Sequence, residues 1–356
     1  MVPAGTVRDA SGIYPVSHFK NLMSLAQKTA IHRPSFMARP RDAARAAAGW
    51  FQRSEAIMGT AIQVELWSED REQAEAAMAA VIAEMHRIDA AMSPHKATSE
   101  LSRINREASA RPVPLSEEMF GLLGRALHFS ALSDGAFDIT FASAGQLYDY
   151  RAGVGPSDDT LAAAQALIGW RGLELQPATR SVRFARHGMR IDLGGFAKGH
   201  AVDNGVAILR RHGIAHGMVS AGGDSHVLGD RRGRPWTIGV RDPRRDGEVV
   251  AVLPLEDVAI STSGDYERFF ERDGVRHHHL IDPKTGRSAC GVRSVTILAD
   301  DGLTSEALSK CVFVMGRERG LRFIESQPGV DAVVVDAEGG LHYSSGLLNQ
   351  ADGSVQ

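Results

Sequence analysis

The sequence predicts an α+β protein in which antiparallel sheets pack against helices. Three observations carry that prediction. Helical apolar spacing and short strand-like runs alternate along the chain, and beyond residue 212 the pattern becomes rich in strands. No repeat of 20–50 residues is evident, which sets solenoids and propellers aside. The chain has 356 residues, enough for one large domain or two modest ones with a well-buried core.

Taken in order, residues 1–50 show no sustained period and read as a weakly ordered N-terminal extension; residues 51–350 read as the functional domain. Organisation begins at Ser54, and Ile62–Leu66 alternates as a strand. From Glu69 to Met92 apolar residues recur at helical spacing (Ala74, Ala77, Met78, Val81, Ile82, Met85, Ile88, Met92). Pro94 ends that helix. A second helix spans about Ser99 to Arg106. Ser116-Glu117-Glu118-Met119 opens a third in the manner of a capping box, ending near Asp134-Gly135. A short alanine-rich helix precedes residue 168, and strands fall near 172–176 and 181–184. After a helix over 197–212, strands are expected at 217–221, 236–241, 249–255, 258–262, 277–281 and 294–298. Helices over 305–315 and 317–327 lead to a last strand pair, 332–336 and 342–344.

Composition narrows the function. Hydrophobic residues make up 43% and charged residues 23%, ordinary for a globular protein, and the formal net charge is −3. That balance argues against a nucleic-acid partner. The basic clusters Arg231-Arg232-Gly233-Arg234 and Arg241–Arg245 are bounded by Asp, Gly and Pro and read as solvated turns. Two cysteines, Cys290 and Cys311, exclude a disulfide framework and read as buried thiols. No apolar run is long enough to span a membrane, and no signal peptide or lipidation site is seen. The sequence as given is therefore expected to be cytoplasmic, with a periplasmic location the alternative if the true N-terminus differs.

Several stretches can carry chemistry. In Ile191-Asp192-Leu193-Gly194-Gly195-Phe196-Ala197-Lys198-Gly199-His200 a strand turns on two glycines into a helix with a lysine in its first turns. Backbone N–H groups, a helix N-terminus and an ammonium together suit phosphate, although a glycine turn before a helix is often only a turn. Gly222-Gly223-Asp224 is either a plain turn or a surface a flat ligand can approach. Ile260-Ser261-Thr262-Ser263-Gly264 is rich in hydroxyls that can meet phosphate or ribose, or cap a turn. His277-His278-His279 cannot converge on one ion from a strand, because neighbouring residues point to opposite faces. His279, beside a Pro-Gly turn, is the proton-transfer candidate. Glu306 and Lys310, at i and i+4, make either a surface ion pair or, through Glu306, an oxygen ligand for Mg²⁺. Phosphate-loop, dinucleotide-fold, hydrolase-elbow and zinc-protease motifs are all absent.

As an ordered set these stretches resemble the ApbE family, the FAD:protein FMN transferases. The matching pieces are Met58-Gly59-Thr60, Met92-Ser93 with Ser99–Asn105, Gly135–Thr140, Asp192–Gly199 and Ala221–Asp224. They continue with Pro235–Pro243, Ser261–Tyr266, His279–Gly286 and Glu306-Ala307-Leu308 before Phe313–Gly316, covering about residues 54–345. The resemblance implies an α+β fold with a duplicated T-fold-like core. It also implies an enzyme that uses FAD and Mg²⁺, passes FMN to a Thr or Ser hydroxyl of a partner flavoprotein, and releases AMP. The acceptor hydroxyl would lie in an Asp-Gly-x-Thr-type segment.

Carried over by position, Met58, Met92, Ser93, His95, Ala136, Phe137, Asp138, Asp192, Lys198, Gly222, Gly223, Thr262 and Ile281 would line the FAD site. His279 would take the acceptor's proton, with Lys198 supplying charge. Gly195, through its carbonyl, and Glu306 would hold Mg²⁺. Three positions depart from the family pattern. Glu306 replaces the usual Asp, His95 replaces the usual aromatic, and Lys310 stands at the position of the metal-binding Thr. An ammonium has no lone pair for a cation. Either the site binds Mg²⁺ with one ligand fewer, or Lys310 partly replaces its charge. Two other readings keep the same residues: an FAD pyrophosphatase giving FMN and AMP, and a flavin-binding or maturation protein with little catalysis.

Overall fold

The computed structural model describes residues 48–352. The chain opens with a hairpin of β1 (Gly49–Ile57) and β2 (Thr60–Ser68), whose Ile57 and Thr60 pair across a two-residue turn. Met58 and Gly59 take φ of 55° and 71°, the left-handed pair a type I′ turn requires. Helix α1 (Arg71–Met92) starts where Asp70 accepts from the amides of Glu72 and Gln73, and it buries all eight apolar residues of the predicted stripe. Helix α2 (Glu100–Glu107) is capped by Ser99, and β3 (Val113–Pro114) leads to α3 (Glu117–Leu132). The short helices α4 (Ala142–Gly145) and α5 (Asp158–Gln165) precede β4 (Leu173–Gln176) and β5 (Ser181–Phe184).

Helix α6 (Ala197–Arg211) then feeds the hairpin β6 (Gly217–Ala221) and β7 (Asp224–Leu228). A second hairpin, β8 (Trp236–Arg241) and β9 (Val249–Leu255), leads to β10 (Val258–Gly264). Two small ribbons follow, β11 (Phe269–Arg272) with β12 (Val275–His278), and β13 (Ile281–Asp282) with β14 (Arg287–Ser288). Strand β15 (Val292–Ala299), helices α7 (Gly302–Met315) and α8 (Arg317–Glu325), strands β16 (Asp331–Asp336) and β17 (Leu341–Tyr343), and helix α9 (Ser345–Asp352) complete the chain.

One eight-stranded sheet, ordered β1-β2-β6-β7-β10-β15-β16-β17, organises all of this, and every neighbouring pair in it is antiparallel. The order contains the same motif twice: a strand pair, two helices and a second strand pair. The first copy is β1, β2, α1, α6, β6 and β7; the second is β10, β15, α7, α8, β16 and β17. This is the duplicated T-fold-like core that the resemblance implies. The copies join where β7 pairs with β10, with Asp224 opposite Ser261. Residues pointing to one face, such as Val219, Val295, Ile297 and Val334, form the main core with the helices. Their neighbours Val227, Ile260, Leu298 and Val333 face the other way, into a smaller core with β8 and β9.

Several expectations need correction. Strand structure is present before Ser54, because β1 starts at Gly49; residues 1–47 of the expected extension lie outside the described residues. The polar run Gln52-Arg53-Ser54-Glu55 disguises β1, which is an edge strand with one exposed face. Strand β7 was not expected, because its Asp224 and His226 are buried polar residues that break the apolar alternation. The capping box is not closed within α3, since its third residue is Met119. Instead Glu100 of α2 accepts from the Ser116 amide and hydroxyl, both at 2.7 Å. Cys290 is exposed, in the turn between β14 and β15, whereas Cys311 is buried as expected. Arg231 is more than a solvated turn residue: its guanidinium lies 4.6 Å from the Trp50 ring and 4.8 Å from Trp236. No helix among the described residues is long and apolar enough to cross a membrane.

Candidate active site

Two helices that touch backbone to backbone create the site. A methyl group on Gly199 of α6 would stand 2.1 Å from the Gly302 carbonyl oxygen of α7, so only glycine allows this approach. At that distance each helix caps the other. Asp203 of α6 accepts from the Gly302 and Leu303 amides at 2.6 and 3.0 Å. In return Glu306 of α7 accepts from the Gly199 amide at 2.7 Å, placing a carboxylate on the N-terminal turn of α6.

Glu306 is fully buried, which overturns the surface-pair reading. Its Oε2 takes the Gly199 amide, while Oε1 accepts from Lys198 Nζ and, at 3.4 Å, from Lys310 Nζ. Lys198 also donates to Asp224 Oδ2, and Asp224 Oδ1 accepts from the Ser261 hydroxyl. Ser309 pairs with Ser263 at 2.8 Å and donates to the Glu306 carbonyl at 2.7 Å. Two ammoniums and two carboxylates thus share one buried cluster. Burial works to lower the Lys198 pKa, but Asp224 and Glu306 outweigh it and hold the ammonium above the ordinary lysine value. For Lys310 burial wins and the pKa falls. Burial would raise the Asp224 carboxyl, yet Lys198 and Lys310 keep it below its ordinary value.

Around the cluster lie the glycine turns. Gly222 has φ of 65°, and a methyl there would meet Thr60 Oγ1 at 2.6 Å; on Gly223 it would meet the Thr262 carbonyl at 2.7 Å. The Met58–Thr60 turn, the Gly222-Gly223 turn and β10 therefore abut. At the opening of α6, Asn105 holds both backbone groups of Ile191, at 2.8 and 2.9 Å. Asp192 accepts from the Gly194 amide at 2.6 Å, and burial raises its carboxyl pKa, moderated by that bond and by His95, Arg268 and Arg190 nearby. A methyl on Gly195 would sit 3.6 Å from Phe137 and 4.0 Å from Lys310 Cγ. Phe137 itself packs edge-on against Phe196, with centroids 5.7 Å apart.

The three adjacent histidines diverge, as pleating requires. His277 stacks on Phe270, while buried His278 bonds the Ala289 carbonyl at 2.9 Å. His279 lies just beyond the end of β12, where its amide donates to the Arg268 carbonyl at 3.1 Å. Its Nδ1 is buried with no hydrogen-bond partner among the described residues. Burial first, then the charges of Arg268, His278 and Lys310, push its pKa down to about 3, so the imidazole is neutral at pH 7.

The ApbE family model matches residues 58–334. The chain belongs to the ApbE family. Among its relatives, the FAD:protein FMN transferase of Treponema pallidum (strain Nichols) is 34% identical over 321 residues, covering 84% of this chain and 88% of the relative. The Vibrio cholerae enzyme of the same name is 36% identical over 262 residues, 71% and 78% of the two chains. The crystal structure of the ApbE protein from Thermotoga maritima superposes with a TM-score of 0.78 at 33% identity, over 84% of this chain and 98% of that one. The flavin transferase ApbE from Vibrio cholerae gives 0.75 at 29% identity, over 84% and 98%.

For this ApbE chain the structure brings together Lys198, Gly195, Glu306 and Lys310, with Gly222 and Gly223 at the edge; His279 is in electrostatic reach of Lys310, and Asp192 of His95. Met58 heads the neighbouring hairpin turn, buried Met92 and half-buried Ser93 end α1, and buried Ile281 pairs with Ser288. Ala136 is buried beside Phe137. Asp138 is committed to its own loop, accepting from the Thr140 amide, the Thr140 hydroxyl and the Trp170 amide at 2.6–2.8 Å. Thr262 does not join the cluster. Strand alternation points its side chain to the opposite face, where it bonds Thr296 at 2.8 Å, and it is Ser261 and Ser263 that face Asp224 and Ser309. Asp224 is a site residue that sequence reasoning missed; an acid directly after Gly-Gly, in a chain with a lysine to neutralise, is the signal that points to it. Arg268, a charge felt by both Asp192 and His279, left no sequence signal beyond being a cation near a glycine turn.

The donor set does not fit the Mg²⁺ ion that the family resemblance implies. Mg²⁺ needs oxygen ligands at about 2.1 Å in near-octahedral array. Here both Glu306 oxygens already accept from N–H donors, and the third position carries an ammonium. Among the described residues no group of three or more His, Cys, Asp or Glu side chains is placed to hold a metal.

Proposed function

We propose that this chain is an FAD:protein FMN transferase that moves the FMN half of FAD onto a Thr or Ser hydroxyl of a partner flavoprotein. FAD is the substrate, and the acceptor segment is of the Asp-Gly-x-Thr type. The acceptor oxygen attacks the FMN-side phosphorus and its proton passes to His279. A new P–O ester bond forms as the pyrophosphate P–O bond breaks, and AMP leaves with the bonding electron pair. Lys198 faces the charge that develops on the phosphates.

The observation that carries this reading is the buried Nδ1 of a neutral histidine, without a partner among the described residues and within electrostatic reach of Lys310. A buried polar atom without a partner is costly in a folded protein, and such atoms mark places where a ligand completes the hydrogen bonding. Phosphates arriving beside His279 would raise its pKa from about 3 toward the range of a working base. The test is to incubate the protein with FAD and an acceptor carrying the Asp-Gly-x-Thr-type segment. Flavin fluorescence on the denatured acceptor supports transfer. Free FMN and AMP with an unlabelled acceptor would make the protein a pyrophosphatase, and tight FAD binding with neither would make it a flavin carrier.

A further inference from the structure

Position 310 is one of the three at which this chain departs from its family resemblance, and the structure gives that difference a physical meaning. Lys310 rises from α7 one turn after Glu306, and its ammonium stands 3.4 Å from Glu306 Oε1. It also lies 3.3 Å from the Ser309 hydroxyl, and its aliphatic stem passes 4.0 Å from where a methyl on Gly195 would be. Lys310 therefore lies between the carboxylate and the glycine turn to which the resemblance assigns a cation, its ammonium at Glu306 and its stem beside Gly195. A divalent ion would need an Oε1 lone pair now shared by Lys198 and Lys310, and would sit against two like charges.

We propose that Lys310 is a built-in substitute for the divalent cation, so that this chain binds the FAD pyrophosphate without a metal ion at this site. The inference rests on the FAD-using reading above. An ammonium fixed by the protein needs no recruitment and offers three donors to phosphate oxygens. Its contact with Glu306 is the positioning device: Oε2 is held by the Gly199 amide, so the carboxylate stays in place and keeps the ammonium close to the first turn of α6.

The test measures FAD affinity of the full chain by flavin fluorescence, in EDTA and in millimolar Mg²⁺, together with Mn²⁺ binding by electron paramagnetic resonance. The wild-type chain should hold FAD equally well, within twofold, in both media and should bind no Mn²⁺ tightly in the presence of FAD. Lys310→Thr should weaken FAD at least tenfold in EDTA, recover in Mg²⁺, and bind about one Mn²⁺ per chain. Lys310→Met, which removes the charge without offering a ligand, should be weak in both media, and far-ultraviolet circular dichroism should confirm that each variant is folded. Stoichiometric Mn²⁺ binding by the wild type with FAD, or a tenfold loss of its FAD affinity in EDTA, overturns the proposal. If the acceptor stays unlabelled in both media while FAD binding ignores EDTA, the transferase reading fails and the metal-free site stands.

Discussion

At the scale of single residues, the account turns on His279 and Lys198. His279→Ala should abolish flavin transfer while leaving FAD affinity within about threefold, since the histidine is assigned to the acceptor's proton and not to the cofactor. A loss of FAD binding would make the residue structural. The same histidine predicts a pH effect with a definite sign. Its folded pKa is lowered to about 3 by burial, whereas an unfolded histidine titrates near about 6.5. Between those values the unfolded chain holds one more proton, so this group's contribution to stability is present above pH 6.5 and is lost as the pH falls toward 3. Urea midpoints at pH 7 and pH 5 should converge more closely for His279→Ala than for wild type. Lys198→Met removes the group that pairs Asp224 with Glu306, and breaking a buried pair typically costs about 3–5 kcal/mol. Denaturant unfolding should register that loss, and an unchanged midpoint would show the cluster to be energetically idle. Most of these residues were legible in the sequence because motif and chemistry coincide in them. A run of hydroxyls does not say which ones face Asp224 and Ser309 and which, like Thr262, face Thr296; only the pairing of β10 does.

At the scale of elements, the site depends on the contact between α6 and α7. Gly199→Ala puts a methyl 2.1 Å from the Gly302 carbonyl, so the helices must separate. Overpacking of this kind costs about 1–3 kcal/mol. Here it should also release Glu306 from the Gly199 amide and weaken FAD binding. Calorimetric titration would detect it; a variant with wild-type stability and affinity would remove the helix contact from the account. The long helices were readable, and so were the caps Ser99 and Ser116, which each sit before an apolar stripe; the Asp70 cap, one residue past the expected start at Glu69, was not. The reciprocal capping of α6 and α7 was not, because Asp203 and Glu306 are mid-helix residues whose partners lie about a hundred positions away. Short strands such as β11 and β14 escaped for a related reason: two to four residues carry too little period to announce themselves.

For the whole molecule, the duplication places the chemistry at a seam. Asp224 and Lys198 belong to the first ββααββ copy; Ser261, Glu306 and Lys310 belong to the second. His279 lies in the segment inserted between β10 and β15, the place where the first copy has only the Met58-Gly59 turn. A ligand held across that seam should brace both copies. FAD at a hundredfold excess over its Kd should stabilise the fold by about 2.7 kcal/mol, seen as a raised melting temperature. The α+β class and the antiparallel sheet followed from the alternation of elements, but the order of strands depends on long-range pairing that no local pattern encodes. The central claim, that FMN passes from FAD to a protein hydroxyl, is tested most directly by counting products. With FAD and an Asp-Gly-x-Thr acceptor, the account predicts one AMP released for each flavin fixed covalently to the acceptor. AMP in excess of covalent flavin, matched by free FMN, would contradict it.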